Sequence, residues 1–176
     1  MYKRTMEIGL TVKHIISTHG HWDHIGDMKK LMALTGAHVC ANEGDEWMMR
    51  DPNGMVVVPP EPIEPVSIDT RLADGATVET SSLKFKVIQT PGHSAGSICL
   101  YEEEQRVLFT GDTLFAGSIG RVDLPTGSMD EISKSIQAKL MALPGDVRIY
   151  PGHGADSTLG KEKRENPFVQ MMFAER

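Results

Sequence analysis

Four places in the chain share one pattern: an apolar stretch ends, a glycine follows, and a histidine or aspartate stands beside it. They read Ile15-Ile16-Ser17-Thr18-His19-Gly20-His21, Val87-Ile88-Gln89-Thr90-Pro91-Gly92-His93, Val107-Leu108-Phe109-Thr110-Gly111-Asp112 and Ile149-Tyr150-Pro151-Gly152-His153. Short apolar runs bounded by turn residues read as strands, and glycine permits a close turn after each. Strand ends are where side chains from separate strands can converge above a sheet. Imidazole and carboxylate delivered by four such ends are what a metal centre requires. The first end is the richest, with His19, His21, Asp23 and His24 inside six residues. Residues two apart on an extended segment share a face, so His19 and His21 can hold one ion together. Asp23 and His24 fall where the chain turns towards a helix and can face a second ion. Solvated loop residues are the plainer explanation of any one of these side chains, but chance assembly of the cluster with three further matching ends is remote. A ligand set without thiolate suits zinc, and also iron or manganese.

The elements that must position these groups alternate between strand and helix. Val12 to Ser17 reads as a strand, Asp27 to Leu34 as a helix stopped by Gly36, Ala37 to Ala41 as a second strand and Glu43 to Arg50 as a second helix. Asp51 to Pro65 holds five of the ten prolines and reads as a loop. From Ile68 to Phe109 the pattern is β: Ala76 to Glu79 follows an Asp74-Gly75 turn, and Leu83 to Gln89 alternates. Ser97 to Tyr101 and Arg106 to Phe109 flank a polar connection over Glu102–Gln105. Met129 to Leu143 places Ile132, Ile136, Leu140 and Leu143 on one helical face, and Val147 to Tyr150 is a last strand. Sheets covered by helices, an α/β or α+β sandwich in a single domain over 1–176, are the expected architecture.

Composition narrows the partners. A net charge of −6, with no lysine or arginine block longer than two residues, disfavours nucleic acid, whose binding needs clustered cations. Cys40 and Cys99 lie far apart in apolar surroundings and read as reduced core residues. No apolar run approaches a membrane span, and Met1-Tyr2-Lys3-Arg4 leads into no apolar leader segment, so the expectation is a cytoplasmic protein with no membrane partner.

His19-Gly20-His21-Trp22-Asp23-His24 resembles the HxHxDH signature of the metallo-β-lactamase superfamily, and the other three ends match its later ligand motifs in order. The resemblance implies an α/β fold, an αββα sandwich. It implies that His19, His21 and His93 hold a first ion and Asp23, His24 and His153 a second, with Asp112 bridging the two. Two Zn2+ are implied, with Asp23 and Asp112 as catalytic carboxylates around an activated water. Within the superfamily the chain is most similar to stand-alone glyoxalase-II-like (hydroxyacylglutathione hydrolase-like) proteins, from about Val12 almost to the C-terminus. That closer likeness rests on Phe109-Thr110-Gly111-Asp112-Thr113-Leu114-Phe115, on Gly117-Ser118-Ile119-Gly120-Arg121 with Asp123, and on Glu165-Asn166-Pro167-Phe168. Family members begin with several strands ahead of the HxHxDH loop, which Met1 to Leu10 is too short to supply. A fold incomplete at the N-terminus, with an open sheet edge prone to self-association, is therefore expected.

The function this implies is hydrolysis of small thioesters or esters, such as S-lactoylglutathione. Two alternatives stand beside it: a mononuclear iron persulfide dioxygenase using His19, His21 and His93, and a catalytically weak, truncated fragment. Ser94 and Ser97 read as turn-capping residues and not as a nucleophile for His93. Arg121 can meet a substrate anion or pair with Asp123. His14 and His38 read as structural. Trp22 is expected to pack beside the metal loop, and Met48 and Met49 to serve the core or a lid.

Overall fold

The structure is a computed structural model that describes residues 7–174. Strands β1 (His14–Ile16), β2 (His38–Ala41) and β3 (Thr70–Arg71) form a small parallel sheet in that order. A larger sheet contains β4 (Thr77–Glu79), β5 (Lys84–Gln89), β6 (Ile98–Glu102), β7 (Val107–Gly111), β10 (Arg148–Pro151) and β11 (Ser157–Thr158). Its order is β11-β10-β7-β6-β5-β4, antiparallel except where β10 runs parallel to β7. A hairpin of β8 (Leu114–Phe115) and β9 (Ser118–Ile119) stands apart.

Three apolar clusters separate four layers. Outside the small sheet, Met28 of helix α2 (Met28–Thr35) and Ile25 of the single-turn α1 (Trp22–Ile25) pack with Ile15, Val39 and Ala41. Gly36 stops α2 in the left-handed conformation, and its N–H reaches the Met32 carbonyl at 2.8 Å, a common helix ending. Between the sheets, Cys40 and Leu72 meet Val78, Val87, Ile98 and Leu100. Outside the large sheet, Ile132, Ile136 and Leu140 pack on Leu108 and Ile149, as their helical spacing predicts. They belong to α4 (Met129–Lys134), which continues as a wider π-helix over Ser135–Leu140, with Met141 N–H donating to the Ile136 carbonyl five residues back. A helix-sheet-sheet-helix arrangement results, as expected.

Differences from the expected elements are local. The helix over Glu43–Arg50 is a 3-10 turn (Glu43–Asp45) followed by α3 (Glu46–Arg50), with the Asn42 side chain capping Gly44 N–H. After Tyr150, where the sequence shows no periodic face, lie β11, α5 (Leu159–Glu165) and α6 (Pro167–Ala174). Thr158 caps α5, and its hydroxyl accepts from Lys161 N–H.

The large sheet is not equally covered along its sandwich face. Val87, Leu100, Phe109 and Tyr150 are cross-strand neighbours on β5, β6, β7 and β10. Their exposure runs 0%, 7%, 39% and 37%, so cover by the small sheet ends after β6. The bare rings of Phe109 and Tyr150 stack at 5.6 Å, and Phe85 meets Phe109 edge-on at 6.0 Å. Among the described residues β1 pairs on one side only, with β2.

Candidate metal centre

All seven ligand-type residues singled out in the sequence come together at one rim of the sandwich. The loop after β1 is tied down on both sides: Ser17 Oγ donates to the His19 carbonyl at 2.6 Å, and Ile98 N–H of β6 donates to the Thr18 carbonyl at 2.8 Å. Three groups result whose nitrogen and oxygen atoms lie within 4.8 Å of one another: His19, His21 and His93; His19, His24 and Asp112; and Asp23, His24 and His153. His21 Nδ1 is 2.9 Å from His93 Nε2, and His24 Nε2 is 3.1 Å from His153 Nε2. Asp112 spans the groups, with Oδ1 3.4 Å from His24 Nε2 and Oδ2 3.7 and 3.5 Å from His93 and His153.

Two atoms test whether this arrangement suits a cation. His19 Nε2 and Asp112 Oδ1 are buried without a hydrogen-bond partner, a costly state for polar atoms in isolation. Both aim into the cluster, and a divalent ion satisfies both. Protonation fits as well, because the ligand form of histidine is neutral. Burial, reinforced by His24, His93 and His21, pushes His19 well below the ordinary imidazole value. Burial and the neighbouring His93 bring His21 down to about 4, against the weaker pull of Asp23. Asp112 is held below the usual carboxylate range: burial opposes this, but the neighbouring His24, with His93 and His153, outweighs it. The residues present fit a metal centre.

A second layer aims these groups. His93 Nδ1 sits 2.8 Å from the Arg121 carbonyl and Thr18 Oγ1 sits 3.2 Å from His19 Nδ1. Such partners fix the ring orientation and leave the opposite nitrogen for a metal. Asp45, which sequence reasoning missed, clamps two ligand loops together. Its carboxylate accepts from Gly20 N–H at 2.8 Å, from Ser94 Oγ at 2.6 Å and from Gly96 N–H at 2.7 Å. Burial pushes this carboxyl above its usual range while those three hydrogen bonds pull it back. Gly20 and Gly96 are glycines because Asp45 needs the space: a Cβ at either would stand 2.9 or 2.6 Å from it. At Gly152, similarly, a Cβ would strike Asp112 Oδ1 and come within 2.6 Å of His24 Cε1. The acidic pair Glu43 and Asp45 beside Gly44 was visible in the sequence, but nothing local distinguishes it from a solvated helix start.

Ser94 and Ser97 share a hydrogen bond of 2.8 Å and serve Asp45 and the turn, as expected of capping serines. Cys99 is fully buried, which raises its thiol to about 11 and makes it a poor nucleophile. Cys40 is buried too. His14 and His38 face each other across β1 and β2, away from the cluster. Met49 is in the core and Met48 reaches the cavity wall.

Over the cluster opens a cavity of about 430 Å³ with His21, Asp23, His93, Asp112 and His153 among its lining residues. One wall comes from Trp22, Trp47, Met48 and the Met55–Val57 part of the proline-rich loop. The other comes from Phe115, Ser118 and Ile119 of the β8–β9 hairpin and from Arg121, Leu124 and Pro125. Arg121 is engaged by Asp123 through two hydrogen bonds of 2.7 Å. The hairpin is held from behind. The buried Glu162 carboxylate accepts from Gly117 N–H at 2.7 Å, and Asn166 Nδ2 donates to the Phe115 and Ser118 carbonyls and to Glu162. The Glu165-Asn166-Pro167-Phe168 tract therefore shapes the cavity without touching it. No helix among the described residues is long and apolar enough to cross a membrane.

Comparison with known proteins agrees with this geometry. Hydroxyacylglutathione hydrolase GloC of Haemophilus influenzae is 35% identical over 96% of this chain and 81% of its own length. The crystal structure of the BLEG-1 B3 metallo-β-lactamase superposes with a TM-score of 0.89 at 33% identity, over 96% of this chain and 82% of that one. TTHA1623 in a di-iron-bound form gives 0.82 at 32% identity, over 95% and 82%. The model of the metallo-β-lactamase superfamily matches residues 7–153, a span that begins before β1 and ends on the last of the clustered histidines. Family model, relatives and fold converge, and the chain belongs to the metallo-β-lactamase superfamily.

Proposed function

We propose that this protein is a binuclear metal-dependent hydrolase of small thioesters or esters, of the kind represented by S-lactoylglutathione. In this reading His19, His21 and His93 hold one ion, Asp23, His24 and His153 hold the other, and Asp112 serves both. The observation that carries it is the overlap of the three groups, with His19 and His24 shared and two buried atoms lacking any other partner. Zinc is the expected metal, because imidazole and carboxylate suit it.

A pair of bound cations supplies Lewis acidity, which polarises a carbonyl and acidifies water. The protein contributes the rest. Asp112 keeps its charge in a buried position, so it adds negative potential where cations sit. Asp23 Oδ2, 3.1 Å from His153 Nε2, lies on the cavity floor and can accept a proton there. The side walls restrict water and orient a carbonyl over the cluster. A protein nucleophile is unnecessary, consistent with serines engaged in capping and a buried, protonated Cys99.

The test is release of free thiol from S-lactoylglutathione by zinc-loaded protein, lost on chelation and recovered with zinc. A second reading has support in the relative that binds two irons: an iron oxygenase acting on persulfides through His19, His21 and His93. Metal analysis separates the two. About two zinc ions with thiol release supports hydrolysis; about one iron, with sulfite formed from glutathione persulfide and no thioester cleavage, replaces it.

A further inference from the structure

The cavity walls say more about the substrate than the ligand cluster does. Arg121 is the one lysine or arginine among the described lining residues, and Asp123 already occupies its guanidinium with two hydrogen bonds. Unpaired guanidinium or ammonium donors are the strongest recognition groups for a carboxylate-bearing or phosphorylated leaving group. The glutathione moiety carries two carboxylates, and the wall presents no free cation to either. What it presents instead is Trp22, Trp47, Met48, Val56, Phe115 and Leu124. Val56 is 75% exposed and Trp47 45%, large apolar groups held in solvent beside a polar floor. Exposed apolar surface that rims a concave polar site marks a ligand contact.

We propose that this site prefers thioesters whose groups beyond the reacting carbonyl are apolar and uncharged over those of glutathione and other anionic thiols, which it cleaves more slowly. The inference rests on the hydrolase reading for its reaction but on the walls alone for its specificity. Each added methylene that reaches the Trp47–Val56 wall is expected to raise kcat/KM about fourfold, from the free energy of burying one CH2 group.

The chain carries its own reporter, because both of its tryptophans, Trp22 and Trp47, line the cavity. The experiment compares zinc-loaded protein on acetyl, butanoyl and hexanoyl thioesters of N-acetylcysteamine and on S-lactoylglutathione. In parallel, tryptophan fluorescence follows binding of the S-hexyl thioether of N-acetylcysteamine, which cannot be hydrolysed. Expected are a rise of at least tenfold from acetyl to hexanoyl, a hexanoyl rate above that of lactoylglutathione, and saturable quenching by the thioether. Val56→Asp, at an exposed position, should flatten the chain-length series through KM and weaken quenching; Trp47→Ala should flatten it too. If no thioester is cleaved but the thioether binds and Val56→Asp abolishes binding, the reaction assignment fails and the apolar site stands. If lactoylglutathione is preferred tenfold, or the thioether does not bind while thioesters are cleaved, the apolar selectivity is wrong and the hydrolase reading survives.

Discussion

The two ends of the ligand cluster are built differently. His19, His21 and His93 are 2%, 8% and 3% exposed, and their supports include the Asp45 clamp and the Arg121 carbonyl. Asp23, His24 and His153 are more open, and Asp23 and His153 are exposed. The difference continues into the scaffold. His93 follows β5, whose Val87 is fully covered, whereas Asp112 and His153 follow β7 and β10, whose Phe109 and Tyr150 stand bare. A desolvated set of imidazoles held by hydrogen bonds is preorganised for an ion. A solvated set must be ordered by one, at an entropic cost. The comparison teaches that two ions in such a site need not be equivalent: the His93 end should load first and release last.

The largest effect should come from the ligands themselves. His19→Ala removes a member of two of the three groups and is expected to leave less than one ion bound, whereas His153→Ala should retain about one. Activity should fall more than a hundredfold in both, beyond the 10–100-fold usual for losing a residue that only orients a ligand. Metal analysis after dialysis decides; equal loss from both variants would erase the distinction between the two ends.

Next is Asp45. Asp45→Asn keeps the volume but turns an amide donor towards groups that themselves donate. Loss of charged, buried hydrogen bonds should cost about 1.5–3 kcal/mol in stability. Metal affinity should fall 10–100-fold, chiefly at the His93 end. Calorimetric titration with zinc checks it, and unchanged affinity in a folded variant would reduce Asp45 to ordinary core.

Acid should act on the same end. His21 has a folded value of about 4 against 6.5 when free, so between those values the unfolded chain binds a proton the folded chain refuses. The contribution of this residue to the stability of metal-free protein is therefore nil above pH 6.5 and grows unfavourable as pH drops from 6.5 to about 4. Thermal melts across that window test the sign; His21→Gln should flatten the part of the slope that belongs to this residue.

The smallest stability effect is expected on the open side. Phe109→Ser with Tyr150→Ser should change stability by no more than about 1 kcal/mol, because both rings are already partly solvated. It should, however, lower concentration-dependent association in sedimentation, since stacked bare aromatics favour it.

The cluster was legible because its signal is chemical: glycine, histidine and aspartate at strand ends declare themselves without tertiary information. Helix α4 was legible because Ile132, Ile136 and Leu140 repeat with helical period. Asp45 was not, because its role consists of contacts with residues 25, 49 and 51 positions away, and no local pattern encodes that distance. Helices α5 and α6 escaped for a related reason: buried Glu162 and Asn166 break the apolar stripe that would have marked them, and their partners lie in the β8–β9 hairpin. The π-helical continuation of α4 has no signature in residue types at all.

The bonds from Glu162 and Asn166 to that hairpin act as a keystone. They rest the cavity wall on the last helices of the chain, which supply none of the seven clustered residues. A change in those helices would therefore reach the cavity wall through the hairpin, with no substitution in the cluster itself.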